Sequence, residues 1–140
     1  MTFLIDEKHL NKNTQKLVQI NSINPLLHPE GKGEAEISEF VADSLNALGL
    51  DVKRSEVAPG RFNVVGTLKG SGDGRSLLLN AHMDTVGVDG MTINPFGGEW
   101  KDGRIYGRGS QDMKASLAAM MATAKALVDA NITLKGDLHI

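Results

Sequence analysis

Apolar positions fall along this chain in helical stripes separated by short extended runs. Leu10, Leu17 and Val18, with Leu4 ahead of them, give a partial helical stripe between Asp6 and Ile20. Asp6 is placed to cap its first turn and Asn24-Pro25 to end it. Leu26 to Gly33 is rich in Pro and Gly and reads as loop. Ile37, Phe40, Val41, Leu45 and Leu48 then recur at helical spacing, with Gly49 where a glycine commonly follows a helix. Leu50 to Val57 and Arg61 to Leu68 read as strands joined by a turn at Pro59-Gly60. Ser76 to Ala81 is short and nearly continuously apolar, which predicts a strand covered on both faces. A loop from Thr85 to Gly98 leads to a small hairpin, Glu99–Lys101 and Arg104–Tyr106, with a type I′ turn at Asp102-Gly103. Leu117, Met120, Met121, Ala124, Leu127 and Val128 share one face of a helix over Met113 to Ala130, with Asn131 at its end. Lys135 to Ile140 begins another strand. Helices alternating with strands predict an α/β architecture.

The 140 residues suit one domain, 1–140. With 41% apolar and 23% charged residues the chain reads as a soluble globular protein. A net charge of -2 argues against nucleic-acid binding, which favours a basic surface. No apolar run approaches the ~18–20 residues that span a bilayer. Met1 to Glu7 has no basic start followed by an apolar stretch, so no signal peptide is expected and a cytoplasmic location is. The absence of cysteine rules out disulfides and thiolate metal sites. Any metal must be held by His, Asp and Glu, ligands that suit zinc, cobalt or manganese.

Two clusters carry candidate chemistry. His82 and Asp84 stand two apart at the end of the Ser76–Ala81 strand, so both point to one side. In open α/β sheets ligands gather at the carboxyl ends of strands. His82 could ligate a metal through one ring nitrogen while Asp84 accepts the proton on the other; Asp84 could equally be a ligand. Asp112 precedes the last helix, where the dipole favours negative charge, and its two oxygens could bridge two metals. Gly107 and Gly109 let the backbone turn into the site. Taken singly, His-x-Asp is commonplace, and Asp112 is more often a helix cap. The methionine stripe of the last helix reads as core. His139 reads as a half-exposed strand position, and His9 and His28 as surface.

The combination resembles the M20 metallopeptidase family. The shared pattern is an apolar strand, His82-Met83-Asp84, Pro95-Phe96, Asp102-Gly103-Arg104-Ile105-Tyr106-Gly107-Arg108-Gly109, then Asp112-Met113-Lys114. The resemblance implies a three-layer α/β catalytic domain with a central mixed sheet and flanking helices. It also implies a cis Asp112-Met113 bond and two zinc ions, with His82 ligating one, Asp112 bridging both and Asp84 orienting His82. Where the family usually has Gly after Asp-Met-Lys, this chain has Ala115. The family's glutamate base, its later ligands and its lid or dimerisation domain are expected beyond Ile140. The implied activity is hydrolysis of N-acyl amino acids or short peptides, leaning to the acetylornithine deacetylase and succinyl-diaminopimelate desuccinylase branch. This stretch alone is expected to be inactive and prone to self-association. The alternatives are a non-catalytic metal-binding or assembly fragment, and a plain α/β domain that binds a small ligand such as an anion at Gly107-Arg108-Gly109.

Overall fold

The computed structural model describes residues 4–140. The reading of the Met1–Glu7 start therefore falls partly outside the described residues. Helix α1 runs Glu7–Gln19, and the Asp6 carboxylate accepts from His9 N–H at 2.9 Å, capping the first turn. Leu17 and Val18 are fully buried, whereas Leu4 lies exposed ahead of the helix. The helix stops well before Pro25. Ile20 is extended, and the following residues pair with a distant loop instead: Ile23 bridges Thr85 in parallel. Tertiary pairing, and not the proline, ends this helix.

Helix α2, Ala35–Ala47, buries Ile37, Val41 and Leu45. It packs on the antiparallel hairpin of β1 (Asp51–Ala58) and β2 (Arg61–Leu68). Gly66 of β2 is where α2 sits closest, because a Cβ there would meet the Leu45 and Leu50 side chains. Glu34, just before α2, is buried and makes a two-pronged pair with Arg61.

The main sheet has the order β1-β2-β6-β3, with β3 at Leu77–Leu78 and β6 at Leu138–His139. β6 runs antiparallel to β2 and parallel to β3, so the sheet is mixed. The Ser76–Ala81 expectation needs correction. Only two of its residues are strand, and Leu77 and Leu78 are 58% and 60% exposed. Among the described residues β3 is an outer strand with β6 alone beside it. The residues that do pack inward come after it: Leu79, Ala81 and Met83 lie against the core. A separate hairpin, β4 (Glu99–Lys101) and β5 (Arg104–Tyr106), turns through Asp102 (φ 52°) and Gly103 (φ 73°), the two positive angles of a type I′ turn.

Helix α3 is Ala115–Asp129, with Leu117, Ala118, Met121 and Ala124 buried against α1, α2 and Ile140. It begins later than the apolar stripe predicts, because Asp112 and Met113 leave helical geometry (φ -120° and -135°). Asn131 closes it with φ 51°.

Candidate metal centre

Leu79, Ala81 and Met83 face the core, so period two turns His82 and Asp84 the other way. His82 Nδ1 lies 3.0 Å from the Asp84 main-chain oxygen and 3.3 Å from Asp84 Oδ1. The other Asp84 oxygen, Oδ2, accepts from Asn24 Nδ2 at 2.7 Å. On the far side of the ring, His82 Nε2 stands 3.1 Å from Asp112 Oδ1. The structure thus brings together His82, Asp84 and Asp112, which are 30 residues apart at the extremes of His82 and Asp112.

Two glycines shape the loop that delivers Asp112. A Cβ on Gly107 would run into Val18 and the Pro95 carbonyl, and one on Gly109 (φ 76°) would meet Thr85 Cγ2 at 2.6 Å. After them Ser110–Lys114 forms one wide turn, closed by Lys114 N–H donating to Gly109 O at 2.9 Å. The Asp112-Met113 bond within it is cis. Asp112 does not cap α3; its side chain is 87% exposed and faces His82. The turn is anchored from behind by Lys114, which is fully buried and donates through Nζ to Ile20 O at 2.8 Å. Burial pushes the Lys114 ammonium down to about 8.

His82, Asp84, Asp112, Thr85 and Arg108 line one cleft of about 360 Å³. Arg108 Nε is buried there with no hydrogen-bond partner among the described residues. The donor set fits a divalent ion. His82 Nε2 and Asp112 Oδ1 face each other 3.1 Å apart across the cleft, one nitrogen and one carboxylate oxygen. Ligand atoms at ~2.0–2.1 Å from a tetrahedral zinc stand roughly 3.3 Å from one another, close to this separation. Among the described residues no group of three or more His, Asp or Glu side chains is disposed to hold a metal.

The other histidines stand elsewhere. His9 Nε2 meets Asn13 at 2.8 Å, and His139 Nδ1 meets Thr67 at 3.0 Å. His28 is half-buried, not a plain surface residue, and lies 3.6 Å from Asp89. Sequence reasoning missed Asn24 and Lys114. Asn24 reads as a helix stop before proline, and its partner Asp84 is 60 residues away, where no local signal reaches. Lys114 enters the sequence reading only as the last residue of the family motif, with no local sign of its burial.

Residues 78–140 match the sequence profile described as peptidase family M20/M25/M40. The chain is 37% identical over 115 residues to an N-formyl-4-amino-5-aminomethyl-2-methylpyrimidine deformylase of Bacillus subtilis, covering 79% of this chain and 27% of that protein. It is 36% identical over 111 residues to an acetylornithine deacetylase of Vibrio vulnificus, covering 78% of this chain and 29% of the relative. Among solved structures, a tripeptidase from Staphylococcus aureus superposes with a TM-score of 0.74 at 33% identity, covering 96% of this chain and 35% of that one. The chain therefore spans about a third or less of the length of these relatives.

Proposed function

Because residues 78–140 belong to peptidase family M20/M25/M40, we propose that this chain is the N-terminal part of the catalytic domain of a zinc-dependent amide hydrolase acting on N-acyl amino acids or short peptides. The observation that carries the reading is the 3.1 Å approach of His82 Nε2 and Asp112 Oδ1 across the cleft. In this reading His82 and Asp112 hold metal, and Asp84 orients His82. A divalent ion bound there would supply Lewis acidity toward a water and a carbonyl oxygen. Asp84 keeps the ring proton on Nδ1, leaving Nε2 as a lone-pair donor. Arg108 adds a positive charge to a cleft whose carboxylates are Asp84 and Asp112, suited to the carboxylate of an acylated amino acid. The remaining ligands and the general base are assigned to residues outside these 140. A substrate acylated on nitrogen is favoured because the deformylase and the deacetylase are both named for removing an acyl group.

Zinc titration by calorimetry tests this. The chain is expected to bind zinc, and His82→Ala and Asp112→Ala are each expected to abolish measurable binding. A wild-type chain that takes up no zinc, or variants that bind it as well as wild type, would overturn the assignment of the half-site.

A further inference from the structure

We infer that Asn24 is a positioning residue of the metal centre: it grips Asp84 and through it sets the tautomer of His82. The inference rests on the metal-centre reading above. The orientation of the Asn24 amide is determined by its neighbours. Its Oδ1 accepts from Leu26 N–H at 2.9 Å, so its Nδ2 is the atom facing Asp84 Oδ2 at 2.7 Å. The backbone beneath it is fixed as well. Asn24 N–H donates to Thr85 O at 2.9 Å, Thr85 N–H donates to Ser22 O at 3.0 Å, and Ser22 Oγ donates to Met83 O at 2.7 Å. Residues 22–24 are thereby zipped along 83–85, and Asn24 cannot shift without opening that ladder.

The consequence falls on the imidazole. A neutral His82 has one ring proton and a carboxylate on each side of it. Asp84 is sheltered (24% exposed), whereas Asp112 stands in water (87%). Nδ1 has two acceptors within 3.3 Å, the Asp84 main-chain oxygen and Oδ1. Asn24 holds the second of them in place by occupying Oδ2. The proton therefore stays on Nδ1, and Nε2 keeps the lone pair that a metal requires. Without Asn24, Asp84 is free to rotate toward solvent, Nδ1 keeps only the main-chain oxygen, and the proton is shared with Nε2, which faces Asp112 Oδ1 at 3.1 Å.

The test uses the metal-free chain at pH 9, well above the ordinary imidazole value of about 6.5. Long-range proton–nitrogen NMR reads which nitrogen of His82 carries the proton, in wild type, Asn24→Ala and Asn24→Ser. Serine keeps an oxygen for the Leu26 N–H and is too short to reach Asp84, so it supplies the readout if alanine unfolds the loop. The expected result is Nδ1–H dominance in wild type and a mixture in the variants. Zinc affinity is expected to fall about tenfold, the lower end for residues that orient a ligand. A folded variant with the wild-type tautomer, or wild type with the proton mainly on Nε2, would overturn the inference. A tautomer shift in a chain that binds no zinc would sink the metal reading and leave Asn24's hold on His82 standing.

Discussion

Replacing Lys114 by Met separates what the buried ammonium costs from what its contact contributes. Lys114 is fully buried and pushed down from 10.5 to about 8 by desolvation. At ~1.36 kcal/mol per pH unit, that fall corresponds to about 3 kcal/mol of destabilisation at neutral pH. Its hydrogen bond to Ile20 O gives back about 1.5–3 kcal/mol, the range for a charged donor. Lys114→Met should therefore be near neutral or modestly stabilising at pH 7. The sign with pH is the sharper part. A lysine whose folded value lies below its unfolded value is bound to fewer protons in the folded state between about 8 and 10.5. Wild type should then gain stability across that window relative to Lys114→Met, by about 3 kcal/mol in all. Lys69 and Lys125, raised by their Asp137 and Asp129 partners, lose their contributions only above 10.5 and are common to both proteins. Urea denaturation of both chains in chelator at pH 7 and pH 10.5 measures the difference. A gap between the two proteins that does not change with pH would refute the reasoning.

Arg61→Ala leaves the buried Glu34 carboxylate without its two-pronged partner and should cost about 3–5 kcal/mol in chemical denaturation. Replacing both residues by Leu should recover most of it, and a single variant as stable as wild type would contradict the burial argument. Gly107→Ala drives a methyl into Val18 and the Pro95 carbonyl. It should lower stability by about 1–3 kcal/mol, as overpacking does, and weaken zinc binding because the same loop delivers Asp112. Unchanged zinc affinity in that variant would show that the loop position does not matter to the centre.

The helices and the small hairpin were legible because their signals are local. Leu17 and Val18, or Ile37, Val41 and Leu45, bury themselves by helical period alone, and Asp102-Gly103 has the turn chemistry its angles need. Leu77 and Leu78 misled, since an apolar run announces burial only if a neighbour covers it, and neighbours are a matter of sheet order. The start of α3 was displaced by the Ser110–Lys114 turn, whose seat depends on residues far away. The meeting of His82, Asp84 and Asp112 could be anticipated from strand period and motif. The Asn24 grip on Asp84 could not, because nothing near Asn24-Pro25 distinguishes an anchor from a helix stop.

The place of β6 within the sheet also sets an order of events. His139 pairs with Thr67, 72 residues earlier, and β3 joins the sheet only through β6. A ribosome adding ~5–20 residues per second leaves roughly 4–14 s between emergence of the two partners. In that interval α2 and the β1–β2 hairpin can assemble from neighbours in sequence, while the inner edge of β2 stays open. Gly66 waits with both its N–H and its carbonyl for Ile140. Arrival of β6 closes that edge and fastens β3 to the rest of the sheet. A nascent chain stalled before residue 138 would hold the hairpin and α2 and lack a seated β3.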